Sequence, residues 1–297
     1  MRSVVLDLGG TAIKSAIYGD GILTDVREVP AQAQRGGKYL IEKAADIIRS
    51  YAAEHPFERI GISTAGQVDS QKGRIIYANR NIPGYTGMEV KDILEKIFSL
   101  PAFVENDVNA AGIGELLFGA AQNAGQVLCM TFGTGVGGAI FLDGRLYTGS
   151  GFSAAEFGGI VVHPEERCSA KDLFSGCYED YASATALVRR VRQLYPEICD
   201  GRAVFDRMEE AGVKEMIDGW IGEVINGLVT LIHIFNPEAV ILGGGVMEQN
   251  YILSEIRKRI YSEIMPGFTN VAIRGAKLGN RAGLYGIGAV AEGKYQR

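Results

Sequence analysis

The chain has 297 residues and a formal net charge of −5, with 47 % hydrophobic and 22 % charged residues. These are ordinary globular values, and the length exceeds what one core normally holds, so two domains are expected. The acidic balance without a Lys/Arg cluster excludes a nucleic-acid-binding surface, and eight prolines with no low-complexity tract exclude a fibrous or disordered chain.

Met1-Arg2-Ser3 runs directly into a strand pattern, so no signal peptide is read there. The apolar stretch near 220–235 is interrupted by Glu223, Asn226 and His233, which is wrong for a membrane span. Cys129, Cys168, Cys177 and Cys199 make no disulfide framework in a chain of this size. A cytoplasmic protein with no membrane partner is expected.

In chain order, residues 3–8, 12–18 and 22–29 read as a β-meander, with Asp7 near the end of its first strand and Gly9-Gly10-Thr11 beside it. Glycines let backbone approach a ligand closely, and exposed N–H groups with the Thr11 hydroxyl suit phosphate oxygens. Asp7 suits Mg²⁺, usually through water. A plain hairpin turn is the alternative, but it needs neither the preceding acid nor the following Thr-x-x-Lys that ends at Lys14.

A helix is expected over 38–53, a strand over 59–63 running into Thr64-Ala65-Gly66, a loop over 67–80, and a helix over 89–98. Asn79 and Asn81 suit turns. Residues 102–104 read as a buried strand cut off by Glu105, Asn106 and Asp107, with a helix over 108–117. Polar side chains at a strand's C-terminal end stand where open α/β sheets bind ligands. Asp107 also falls at a helix start, where a carboxylate serves as an N-cap.

The second half restarts the same pattern, with a strand over 127–131, Gly133-Thr134-Gly135-Val136-Gly137-Gly138, and a strand over 139–142. Gly133, Gly135 and Gly138 satisfy G-x-G-x-x-G, but the dinucleotide fold needs that loop to open a helix, and here it enters a strand. Residues 214–235 read as a long helix stopped by Asn236-Pro237, followed by a strand over 239–242 and Gly243-Gly244-Gly245. Helices over 251–261 and 283–292 close the chain, the last Gly-spaced and tightly packed.

Asp7-Leu8-Gly9-Gly10-Thr11, Glu105-Asn106-Asp107-Val108-Asn109-Ala110, Gly133-Thr134-Gly135-Val136-Gly137-Gly138 and Ile241-Leu242-Gly243-Gly244-Gly245 occur in that order. Together they resemble the motifs of the ROK family (repressors, open reading frames and kinases), and the resemblance covers essentially the whole chain. It implies an α/β fold of two actin-like (ribonuclease H-like) domains with a central ligand cleft. The expected division is 1–106, joined by the C-terminal helix 284–297, and 107–283. With the first strand at Ser3 there is no room for the repressors' winged helix-turn-helix, so the kinase branch is expected.

The resemblance implies an ATP-dependent sugar kinase acting on the 6-hydroxyl of a hexose, with Mg²⁺ as cofactor and a homodimer as the assembly. Asp107 would be the general base, and Gly66, Asn81, Asn106, Asp107, Glu156 and Glu179 would contact the sugar. Asp7, Gly9, Gly10, Thr11, Lys14, Gly133, Thr134, Gly135 and Gly244 would hold ATP, with Asp7 on Mg²⁺ through water. The family also carries a structural zinc on one His and three Cys. Here Glu156-Phe157-Gly158-Gly159 has glycine where the His belongs, and only Cys168 and Cys177 remain. His163 brings the candidates to three, whereas a closed site takes four, so no zinc is expected. The missing imidazole leaves room at the sugar's C1 or C2, which fits a β-glucoside or N-acetylmannosamine. The other classes compatible with this fold are a non-catalytic sugar-sensing regulator and an actin-type assembly protein.

Overall fold

The computed structural model describes residues 1–295. Contacts divide them into two compact units: 1–123 with 145–154 and 280–295, and 124–144 with 155–279. The first unit is built on a five-stranded sheet in the order Ile22–Pro30, Ala12–Gly19, Arg2–Leu8, Arg59–Thr64, Ala102–Asn106. Its first three strands are the antiparallel meander, and the last two run parallel to Arg2–Leu8. Val4, Val5, Leu6 and Leu8 are all buried, as expected of a strand covered on both faces. Ile22–Pro30 alternates exposed and half-buried residues, which suits an edge.

Helix Gly37–Glu54 places Leu40, Ile41, Ala44, Ile48 and Tyr51 at helical spacing into one core with the sheet, and Val90–Phe98 adds Val90 and Leu94. Helix Ala282–Glu292 buries nine of its eleven residues and packs along Asp107–Phe118. Its glycines permit that approach: a Cβ on Gly286 would overlap the carbonyl oxygen of Ala110. This packing places residues 107–123 in the first unit, so the contacts divide the chain after Asn123, beyond the sequence-based boundary at 106/107.

The second unit repeats the strand grammar. Val136–Leu142 pairs antiparallel with Val127–Phe132, and Ala239–Gly243 and Ala272–Gly275 follow in parallel. The glycine loop between the first two strands is therefore a hairpin connection, as the rejection of a dinucleotide fold requires. Helix Ala211–Phe235 is long and apolar enough to cross a membrane by length and composition. Ten of its residues are nevertheless buried in the unit's core, among them Trp220, whose Nε1 donates to the Ser183 carbonyl at 3.0 Å. Asn236 ends the helix at φ 43, in the left-handed region.

The sequence reading misses short elements. The loop expected over 67–80 contains the hairpin Gln67–Asp69 and Arg74–Tyr77. Tyr178–Ala182, Ala184–Val191 and Gly201–Phe205 are helical, and Ala272–Gly275 is a strand. Elements this short carry too few apolar positions to show a period.

Gly286→Ala is expected to lower stability by about 1–3 kcal/mol, because the two helices must separate to admit the methyl group. Urea unfolding checks this, and an unchanged midpoint would contradict the close approach.

Candidate active site

The strand-to-helix junction at residues 105–109 is tied together by side chains. Strand Ala102–Asn106 pairs Asn106 with Thr64, and helix Asp107–Phe118 begins at the next residue. Asn106 Oδ1 accepts from the backbone N–H of Val108 and of Asn109, at 2.9 and 3.0 Å. Its Nδ2 donates to the Gly66 carbonyl and to Asp107 Oδ1, both at 2.9 Å. Those four bonds exhaust the amide's capacity. Asn106 is therefore the helix cap, and the cap reading of Asp107 is corrected. The same amide is expected to contact the sugar, and its bond to Asp107 Oδ1 sets it beside the candidate base.

Gly66 sits at φ 102, and a Cβ there would stand 2.8 Å from the Tyr77 carbonyl, so a side chain would displace the carbonyl that Asn106 holds. Behind the junction, the buried Glu105 accepts from the N–H of Asn106 at 2.9 Å and from Asn109 Nδ2 at 3.1 Å. Sequence reasoning gave Glu105 and Asn109 no role. Their i, i+4 spacing is the only sign that they meet.

Asp107 is half-buried. Its Oδ1 also accepts from the Val108 N–H at 2.9 Å, while Oδ2 has no hydrogen-bond partner among the described residues. Burial, and after it the charge of Asp7, push its pKa up to about 7, against backbone hydrogen bonds and the Asn106 amide. A carboxylate whose task was capping would be shifted the other way. Asp7 accepts from Ser63 Oγ at 2.6 Å and faces Lys14 across the antiparallel pair. Burial raises its pKa, with the Ser63 hydrogen bond and the Lys14 charge opposing.

Asp7 Oδ2 has no hydrogen-bond partner among the described residues. One free carboxylate oxygen fits Mg²⁺ held mainly by water and phosphate. Gly9 donates its N–H to the Ala12 carbonyl at 3.1 Å, leaving Gly10 and Thr11 exposed at the tip of the hairpin. Asn81 is exposed, and its N–H donates to Asn79 Oδ1 at 3.0 Å, which makes Asn79 the turn residue.

In the second unit, Gly133-Thr134-Gly135 forms the hairpin connection. The Gly133 N–H donates to the Gly135 carbonyl at 2.9 Å, and Thr185 Oγ1 donates to the Thr134 carbonyl at 3.0 Å. Glu179 lies against this loop: its Oε2 accepts from the Val136 N–H at 2.9 Å, and a Cβ on Gly135 would overlap that oxygen. Burial, joined by the charge of Glu156, raises the Glu179 pKa. Gly244 follows strand Ala239–Gly243 at φ 97, against the Phe132 backbone. A Cβ added at Gly159 would meet no heavy atom within 4 Å among the described residues beyond its own chain neighbours.

The zinc-site residues are otherwise engaged. His163 Nδ1 pairs with Glu165 and Nε2 with Glu223, at 3.1 and 3.0 Å, and its pKa is raised, chiefly by Glu223. Cys177 Sγ accepts from Arg167 Nη1 at 2.6 Å, and Cys168 is exposed. The guanidinium against the buried thiol takes Cys177 out of a shared ligand set, while the ligand atoms of His163, Glu165 and Glu166 lie within 4.8 Å of one another.

The raised pKa of Asp107 gives a stability test. Because the folded value lies above the unfolded one, folding disfavours the ionised form, a cost near zero at pH 4 and complete above pH 7. Asp107→Asn should therefore be more stable than the parent at pH 8 by about 1–2 kcal/mol, after discounting for partial exposure. The gain should fade toward pH 4. Asn106→Ala should lose about 1 kcal/mol at either pH. Destabilisation by Asp107→Asn at pH 8 would mark Asp107 as structural.

The ROK family model matches residues 3–294. The β-glucoside kinase of Klebsiella pneumoniae is 30 % identical over 88 % of this chain and 87 % of its own. The structure of a ROK family glucokinase from Streptomyces griseus, in complex with glucose and AMPPNP, superposes with a TM-score of 0.86 at 29 % identity, covering 99 % of this chain and 100 % of its own. A candidate N-acetylmannosamine kinase from Listeria monocytogenes superposes at 0.87 with 26 % identity, over 99 % of both chains. The chain belongs to the ROK family, and its α/β fold is the two-domain, actin-like fold of the ROK sugar kinases.

Proposed function

We propose that this ROK carbohydrate kinase transfers the γ-phosphoryl group of ATP to the 6-hydroxyl of a hexose, with Asp107 as general base. The observation that carries the reading is the Asp107 carboxylate. It is oriented through Oδ1, has Oδ2 free, and has its pKa pushed up to about 7. A base of that strength is half ionised at neutral pH and takes a hydroxyl proton more readily than an ordinary aspartate. Phosphoryl transfer asks mainly for positioning and charge neutralisation, so one such group suffices.

The remaining assignments follow from chemistry. Asp7 would hold Mg²⁺ through water, which supplies charge neutralisation at the phosphates. Gly9, Gly10, Thr11 and Lys14 would line the outer phosphates, and Gly133, Thr134 and Gly135 the phosphate loop of the second unit. Gly244 would lie near the adenosine. Asn81, Asn106, Asp107, Glu156 and Glu179 would bind sugar hydroxyls. Gly66 would act through its carbonyl, which orients Asn106 and so Asp107. A cytoplasmic homodimer remains the expected state.

The open space at Gly159, three residues after Glu156, supports a substrate with a substituent at C1 or C2. A β-glucoside or N-acetylmannosamine fits, and a relative of each description is among the similar proteins.

A coupled ADP-release assay across glucose, cellobiose and N-acetylmannosamine tests this. One of the substituted sugars should exceed glucose in kcat/KM, and Asp107→Ala should lower kcat by about 10²–10⁴-fold. An ionised base is required, so kcat/KM should be flat above pH 7 and fall roughly tenfold per unit below it. Strong preference for glucose would refute the substrate reading. No sugar-stimulated turnover would refute the kinase reading and leave a sensor.

A further inference from the structure

The segment from Ile160 to Tyr178 is a closed loop whose two stems carry the acids assigned to the sugar. Glu156 and Gly159 precede one stem, and Glu179 follows the other. The stems are joined by backbone bonds: the Tyr178 N–H donates to the Ile160 carbonyl at 2.7 Å, and the N–H groups of Val162 and His163 donate to the Gly176 carbonyl at 2.9 and 3.0 Å. Inside the loop, one side chain gathers the returning strand. Arg167 Nη1 donates to the Leu173 carbonyl at 2.8 Å, to the Ser175 carbonyl at 3.1 Å and to Cys177 Sγ at 2.6 Å. Acceptors from three alternate residues surround this one nitrogen and share its two N–H groups. Outside the loop, His163 is pinned to helix Ala211–Phe235 through Glu223 and stacks on Tyr181, with ring centroids 4.0 Å apart.

We propose that Arg167 is a positioning residue for the sugar site, its guanidinium closing the loop over residues 161–177 as a fixed cation and so holding Glu156 and Glu179 in register without a metal. This rests on the assignment of those glutamates to the sugar. The chemistry favours Arg over a metal here: two of the three acceptors are neutral backbone carbonyls, which a planar guanidinium serves with little desolvation cost. Glu179 is the residue through which closure reaches the site, because it follows the Cys177–Tyr178 stem directly and bonds the Val136 N–H.

The test compares the full-length parent with Arg167→Ala and Arg167→Lys. In Arg167→Ala, amide exchange at Val162, His163 and Tyr178 should accelerate at least tenfold, whether or not any sugar is turned over. This readout stands even if the kinase reading fails. With the preferred sugar, KM should rise about tenfold while kcat and the KM for ATP stay within about threefold. Arg167→Lys, which keeps the charge and a nitrogen donor but not the planar guanidinium, should recover part of both effects. Parent KM should be indifferent to a zinc chelator. Unchanged exchange in both variants, equal loss of kcat and KM, or one equivalent of zinc whose removal reproduces the Ala phenotype would each overturn the proposal. If the Ala variant does not fold, the same readouts on Arg167→Lys decide.

Discussion

The account depends on one side-chain amide. Asn106 lies at the point where a buried strand becomes a helix, and its two ends do different jobs. The carbonyl end satisfies two of the helix's orphan N–H groups, and the amino end fixes Asp107 Oδ1 and the Gly66 carbonyl. Because the cap is supplied by the neighbour, Asp107 is released from structural duty. Its second oxygen is left without a partner in surroundings that make ionisation costly. A fold that spends an asparagine beside an aspartate that is costly to ionise is arranged for chemistry rather than for stability.

Charge accounts for the rest of that unit's polar end. Burial makes ionisation costly at both Asp7 and Asp107, the charge of Asp7 adds to the cost at Asp107, and the Ser63 hydroxyl and Lys14 relieve Asp7 only in part. Two carboxylates in that condition gain from a cation or a proton. In the second unit the acid plays a different part. Glu179 is tied by one oxygen to the backbone N–H of Val136, at the end of the glycine loop.

Much of this is legible in the residues. The long elements were visible because their apolar spacing is sustained: the meander, helices Gly37–Glu54 and Ala211–Phe235, and the glycine-linked hairpin fall within a few residues of expectation. The four glycine and acid motifs identified the family because their order is specific. The cap was misplaced by one residue, since Asn and Asp are both good caps and no pattern says which of two neighbours takes the backbone N–H groups. The helix Asp107–Phe118 groups by contacts with the first unit, whereas the sequence reading starts the second domain at 107, for a related reason. Its partner is the C-terminal helix, about 170 residues away, and contact at that separation leaves no local trace. Ser63, Glu105 and Arg167 were overlooked because each acts through a neighbour rather than through a motif.

The ionisation of Asp107 is the point on which the account is most exposed. A carbon-13 titration of the labelled Asp107 carboxyl in the ligand-free protein, assigned by comparison with Asp107→Asn, reads it directly. The account predicts a midpoint near pH 7. A midpoint at or below the ordinary aspartate value, about 4, would show a well-served structural carboxylate and contradict the assignment.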